Sequence, residues 1–185
     1  KKHIFDPLGM DDTRFYQPES KANRLVDVQQ KVEGIWEKYP VTFYDPDYPI
    51  KGARRFFSGG AGLCSTAKDY ATFLQMYLNG GELNGVRILS RTTVQTMMGN
   101  QTGNLYGGNT GRYYGLAFGI VGEKGQALGG QGSAGTFYWG GYFNTQGFAD
   151  PEEELVGILL KQTQGTTSDD TGWMFRILAE QAVDD

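Results

Sequence analysis

Cysteine and histidine are almost missing from this chain of 185 residues, which holds only Cys64 and His3. One cysteine cannot close an internal disulfide, and one of each cannot furnish the ligand set of a zinc site, so neither a metal nor a cofactor is expected. Long apolar runs are missing too. The longest, Leu155-Val156-Gly157-Ile158-Leu159-Leu160, falls far short of the roughly 20 residues that span a bilayer, so no membrane span is expected. Charge of one sign is likewise scarce: 17 basic residues face 21 acidic ones, a formal charge of -4. No large positive field exists to draw in nucleic acid or an anionic membrane, and neither is an expected partner. The start, Lys1-Lys2-His3-Ile4-Phe5, carries no initiator methionine and no signal peptide and reads as a mid-chain start.

What the chain does have is glycine, 28 residues, and aromatic side chains at 14%. That composition suits an antiparallel sheet with many tight turns. No low-complexity stretch divides the sequence, so residues 1–185 are read as one domain. Residues 1 to about 57 are rich in breakers and read as mostly loop with short elements. From Thr66 the apolar residues Tyr70, Phe73, Leu74, Tyr77 and Leu78 recur at helical spacing. Thr66 is the expected N-cap, with Asp69 in the position of a capping-box acid and Asn79-Gly80-Gly81 as the stop.

Glu82 to Leu89 predicts a hairpin turning at Asn84-Gly85, and Ser90 caps a helix through Met98. Gly99 to Gly111 reads as a surface loop. The alternation of Tyr114, Leu116, Phe118 and Ile120 with small residues predicts one strand whose bare face is closely packed. Thr136–Thr145 and Leu155–Lys161 predict an antiparallel pair joined through Asp150-Pro151-Glu152-Glu153. Met174, Ile177, Leu178 and Gln181 give a terminal helix a mainly apolar stripe for covering the sheet. Helices, then strands, then a helix make the class α+β, an antiparallel sheet flanked by helices.

Several short patterns mimic functional motifs. Gly130-Gln131-Gly132-Ser133-Ala134-Gly135 spells G-x-G-x-x-G but leads into the aromatic run Thr136-Phe137-Tyr138-Trp139, whereas pyrophosphate binding requires a helix N-terminus. It reads as a turn. Ser65-Thr66-Ala67-Lys68 spells S-x-x-K, and Tyr77-Leu78-Asn79 spells Y-x-N. Twelve residues of helix separate Ser65 from Tyr77 by roughly 18 Å, too far for a shared proton. Ser65 and Thr66 are therefore read as helix caps, and Tyr142-Phe143-Asn144, a second Y-x-N, as strand alternation. Cys64 is read as structural, His3 as incidental, and Asp11-Asp12 and Glu152-Glu153-Glu154 as solvated turn charges.

Three blocks together carry a family resemblance. Ile4-Phe5-Asp6-Pro7-Leu8-Gly9-Met10-Asp11-Asp12-Thr13, then Ser58 to Tyr70, then Gly135-Thr136-Phe137-Tyr138-Trp139-Gly140-Gly141-Tyr142 resemble the class C-like branch of serine β-lactamases, penicillin-binding proteins and related esterases. Leu78-Asn79-Gly80-Gly81-Glu82-Leu83 fits as well. The resemblance implies a β-lactamase/transpeptidase-like fold and acyl-enzyme chemistry. It places the nucleophilic S-x-x-K and the true Y-x-N ahead of Lys1, so the chain is expected to be a C-terminal portion lacking its N-terminal part and inactive by itself.

What the resemblance carries over is the strand Trp139-Gly140-Gly141, which stands where the family has K-T-G. Two residues without side chains would let a substrate backbone pair with an open edge. The N–H of Tyr142 would donate to the oxyanion of the tetrahedral intermediate. Trp139 supplies a stacking surface where the family motif supplies a cation, which favours an ester or amide over a substrate carboxylate. The expected partner is a small-molecule or peptide substrate, with the missing segment or a second copy of the chain covering exposed apolar surface. Periplasmic or secreted location is a family expectation. The alternatives are a non-catalytic peptidoglycan- or peptide-binding module and an inactive fragment.

Overall fold

The structure, a computed structural model, describes residues 1–52, 57–105, 109–129, 131–164 and 169–183. After a 3-10 turn at Glu19–Arg24 come β1 (Gln29–Val32), β2 (Ile35–Lys38) and the short α1 (Tyr48–Lys51). Next are α2 (Ala67–Leu78), the ribbon β3 (Glu82–Leu83) and β4 (Val86–Arg87), and α3 (Arg91–Met98). The remainder is β5 (Arg112–Tyr114), β6 (Gly119–Val121), α4 (Glu123–Ala127), β7 (Phe137–Gly140), β8 (Gln146–Asp150), β9 (Leu155–Leu159), β10 (Thr163–Gln164) and α5 (Thr171–Glu180). β5 to β9 form one antiparallel sheet in chain order. The α+β class stands.

α2 begins as its sequence requires. The Thr66 side chain accepts from the Asp69 N–H at 3.2 Å, which satisfies one of the orphan donors of the first turn. Asp69 does not return the favour as a capping box would. Its buried carboxylate instead accepts from Asp12 N at 3.0 Å and Thr13 Oγ1 at 2.8 Å, pinning the N-terminal turn to the helix. Ser90 caps α3 through Thr93 N, and Asn84-Gly85 turns the β3–β4 ribbon with both residues at positive φ.

One face of the sheet meets α2. Leu74, Met76 and Tyr77 are buried with Phe118, Ile120, Phe137 and Ala149 in a single apolar cluster. Gly147 lets the helix come close, since a Cβ there would lie 2.5 Å from the Tyr70 ring. Side chains alternate across a strand, so Phe148, between Gly147 and Ala149, faces the other way. There α5 covers the sheet: Phe175 packs edge-on to Phe148, and the Arg176 guanidinium lies over Tyr138 at 4.9 Å and Phe148 at 5.3 Å.

Three expectations need correction. The run Tyr114 to Ile120 is not one strand, because Gly115 N donates to Phe118 O and folds it into the β5–β6 hairpin, pairing Tyr114 with Gly119. Its small residues are closely packed all the same: a Cβ at Gly119 would sit 2.8 Å from the Tyr138 ring. Thr136 to Thr145 is broken by a turn after Gly140, so β7 pairs with β8, and β9 joins at β8. The helix at the C-terminal end forms, but Met174 and Leu178 are exposed and its buried residue is Arg176. The breaker-rich first segment is mostly loop with short elements, as read, among them a hairpin, β1–β2, turned by Glu33-Gly34 in the left-handed region and joined in parallel to β10.

Candidate active site

Trp139, Gly140, Gly141 and Tyr142 are all exposed, at the end of β7 where the strand runs out of the sheet. β6 pairs with β7 only at Phe137 and Tyr138, while β8 continues alongside to Gly140. Among the described residues the β6 side of Trp139 and Gly140 is therefore an open edge. Backbone groups of an antiparallel strand alternate between its two neighbours. Thr136 O accepts from Val121 N on the β6 side, and Gly141 N donates to Thr145 O on the β8 side. By that alternation the N–H and C=O of Gly140 face the open edge.

The turn that follows fixes the next donor. Asn144 N donates to Gly141 O at 3.0 Å, and Asn144 has φ +65, the pattern of a type I turn closed by one left-handed residue. The peptide linking Gly141 to Tyr142 is planar and trans. Because its C=O points into the turn, its N–H points out, toward the open edge. Among the described residues nothing accepts from the Tyr142 N–H.

The glycine pair has a local reason as well. A Cβ at Gly140 would meet the Gln146 amide at 3.0 Å, and one at Gly141 would run into the Thr145 hydroxyl. Neither glycine has positive φ, so side-chain crowding inside the hairpin, not backbone geometry, demands them. Trp139 shares the α2 face with its partner Gly147 and is half exposed, its ring edge-on to Tyr114 at 5.7 Å. Tyr142 stacks on Tyr44, with ring centres 5.5 Å apart and planes 10° apart, and Phe43 and Phe143 flank the pair edge-on. A hydrogen bond with Tyr39 pushes the Tyr142 phenol up. Residues 39–44 were read as loop, and nothing in their spacing signals that their rings meet the β7–β8 turn.

The other candidates fall apart from this site. Thr66, not Ser65, is the helix cap, and the exposed Ser65 Oγ lies 2.8 Å from Thr13 Oγ1. Tyr77 is buried in the core, its hydroxyl on Met97 Sδ at 3.8 Å. Cys64 forms a backbone bridge to Arg14, and burial pushes its thiol up, away from the reactive thiolate. In the glycine run, Gly130 lies outside the described residues, and Gly132 has φ +83, where a Cβ would collide with Thr136, Asp150 and Glu180. Among the described residues no group of three His, Cys, Asp or Glu could hold a metal, and no helix is long and apolar enough to cross a membrane.

Comparison with known proteins supplies a family. The β-lactamase family model matches residues 1–181. Protein Rv1367c of Mycobacterium tuberculosis is 30% identical over 171 residues, covering 87% of this chain and 42% of its own length. The chain thus spans less than half the length of that curated relative. EstCE1, a hydrolase with promiscuous acyltransferase activity, superposes with a TM-score of 0.73 at 21% identity, over 95% of this chain and 48% of that one. Simvastatin synthase (LovD) from Aspergillus terreus gives 0.73 at 20%, over 100% and 50%. A penicillin-binding protein homologue from Caulobacter crescentus gives 0.65 at 21%, over 96% and 49%.

The match runs from residue 1 to 181, nearly the whole chain, and corrects the expectation that the family likeness is that of a mere C-terminal portion. The same match argues against the expectations of an inactive fragment and of an incomplete fold. They rest on two short motifs that the resemblance places ahead of Lys1, whereas the match takes in the helices and sheet along nearly the whole chain.

Proposed function

Because the chain belongs to the β-lactamase family, we propose that it supplies the substrate-binding edge and the oxyanion donor, not the attacking hydroxyl, for acyl transfer from an uncharged ester or amide to water or another acceptor by a serine-hydrolase mechanism. Its open β7 edge holds the substrate and the Tyr142 N–H serves as oxyanion donor. The observation that carries this reading is the direction of that N–H. The planar peptide whose oxygen is held by Asn144 turns its hydrogen toward the edge that β6 leaves unpaired. A preorganised donor of this kind acts on charge that appears only as the carbonyl becomes tetrahedral, so it lowers the barrier without tightening the ground state.

Trp139 sets the substrate class. An indole offers an apolar, stackable face and no cation for a carboxylate, so a neutral acyl group fits better than a penicillin carboxylate. Ser65 has no part in the reading, since its hydroxyl is engaged by Thr13 on the N-terminal side of α2.

Tyr142→Pro tests the donor directly. Tyr142 occupies the first central position of the turn, which proline favours, so the variant removes one N–H and keeps the bend. Hydrolysis of p-nitrophenyl butyrate should fall about 100-fold in kcat with little change in KM, the loss typical of one oxyanion donor. Tyr142→Ala retains the N–H and should lose far less. Equal losses in the two variants, or faster turnover of a carboxylate-bearing lactam than of the ester, would count against the proposal.

A further inference from the structure

The turn carrying the Tyr142 N–H is tied down from behind by a polar cluster to which nothing so far assigns a role. Asn144 Nδ2 donates to Thr163 O at 3.0 Å, to Thr163 Oγ1 at 3.2 Å and to Asp169 Oδ2 at 3.2 Å. Lys161 Nζ pairs with the same Asp169 carboxylate and donates to Thr171 Oγ1 at 3.2 Å. Thr163 N donates to Phe143 O at 3.1 Å, and the Gln164 side-chain amide donates to Tyr142 O. Every residue from Tyr142 to Asn144 is thus bonded to the segment that follows β9.

The cluster is built for rigidity. Asp169 is nearly buried, at 8% side-chain exposure, and Lys161 is at 21%, so the ion pair between them is screened less than a surface pair. Lys161 and then Thr171 hold the Asp169 carboxyl down at about 2, so it stays an acceptor throughout the ordinary pH range. Asn144 is also the left-handed residue of the turn, and asparagine tolerates that conformation while offering an amide that glycine would not. A turn of this shape needs no such side chain to form, which leaves the three side-chain bonds in want of another purpose.

We propose that Asn144, braced by Asp169 and Lys161, is a positioning residue that holds the Tyr142 N–H on the reacting carbonyl. This rests on the functional reading above and extends it to residues that do not touch substrate. A donor must lie within about 3 Å of where the oxyanion forms, and a turn free to rock would be out of place much of the time. The bonds from Asn144 fix the Gly141 carbonyl from one side and β10 from the other, so the peptide between Gly141 and Tyr142 cannot tilt alone.

Asn144→Gly isolates the effect, because glycine accepts the positive φ without strain and deletes only the amide. Two measurements separate the inference from the functional reading. Hydrogen exchange at Gly141 N and Thr163 N should quicken about tenfold while the core amides of β8 are unchanged. Ester kcat should fall about tenfold with KM within twofold, the split expected when only transition-state geometry is lost. Unchanged exchange would overturn the inference outright. Faster exchange with wild-type kcat would overturn it too, by showing that the brace does not matter to the donor. If the wild-type protein shows no ester turnover at all, the functional reading fails, and with it a positioning role for Asn144, while the exchange rates still report whether the amide braces the turn.

Discussion

The two faces of the five-stranded sheet are closed by opposite means. Toward α2, Leu74, Met76 and Tyr77 meet Phe137, Ala149 and Ile120, and apolar contact does the work. Toward α5, the buried side chains include Arg176 and Asp150, and a cation lies on two aromatic rings. Asp150 accepts from Ser133 N at 2.6 Å, Thr136 Oγ1 at 2.8 Å, Glu152 N at 2.9 Å and Glu153 N at 3.3 Å. Burial alone would raise its carboxyl, but those donors outweigh it and lower the pKa. A hydrophobic face is insensitive to pH and tolerant in detail, whereas this one is specified donor by donor and is only as strong as its least satisfied group.

The sharpest way to break the comparison is to damage each face once. Asp150→Ala removes the acceptor of two buried donors, Ser133 N and Thr136 Oγ1, and of two exposed ones, Glu152 N and Glu153 N, and should cost about 4 kcal/mol near neutral pH. Leu74→Ala, at 1% exposure, should cost about 3 kcal/mol through lost transfer energy and a cavity. Their pH dependence should differ. A carboxyl whose folded pKa is depressed contributes stability above its ordinary value near 4 and loses it as pH falls through the folded value. The penalty of Asp150→Ala should therefore shrink in acid while that of Leu74→Ala persists. Urea unfolding at pH 7 and pH 3 measures both, and parallel pH profiles would contradict the distinction.

The same contrast explains how much could be read from the residues. The α2 face was legible because helical spacing, a Thr66 cap and the Asn79-Gly80-Gly81 stop are local signals that tertiary packing reinforced. The Asn84-Gly85 turn was legible for the same reason. The α5 face was not, because apolar periodicity points to Met174 and Leu178, and no local signal tells that Arg176 will find two ring faces. The turn at Gly141–Asn144 was hidden since aromatic residues fill it, with Asn144 alone hinting at positive φ. Trp139, Gly140, Gly141 and Tyr142 could be singled out through family resemblance, but as part of a continuous strand and not as the strand end they are. The brace at Asn144, Asp169 and Lys161 could not, being assembled across 25 residues of sequence.

Arg176 offers a middle-sized test. Its Nη2 donates to Gln131 O, and burial pulls its pKa down. Arg176→Met keeps the apolar stem volume over Tyr138 and Phe148 and should cost about 1 kcal/mol, since a buried charge replaced by a fitting apolar group loses little. Arg176→Ala should cost about 3 kcal/mol by opening a cavity beside the rings. Thermal unfolding would measure the pair. Equal losses would mean that the charge, not the packed stem, holds α5 to the sheet.

Glu180 gives the smallest effect and the opposite sign. It sits on the last turn of α5 with one buried carboxylate oxygen unpartnered among the described residues, and both it and Asp150 would crowd a Cβ at Gly132 to 2.7 Å. Burial, then repulsion from Asp150, raises its pKa against the pull of Arg176. A carboxyl with a raised folded pKa contributes stability below its ordinary value near 4.3 and loses it as pH climbs through the folded one. As pH climbs, a charge on Glu180 is therefore one the folded protein would be better without. Glu180→Gln should stabilise by roughly 0.5–1 kcal/mol at pH 7 and by nothing at pH 4, a gain seen as a higher urea midpoint with an unchanged slope. A loss at pH 7 would show instead that attraction to Arg176 outweighs both burial and Asp150, and that the α5 face is held by an ion pair rather than by the cation on its rings.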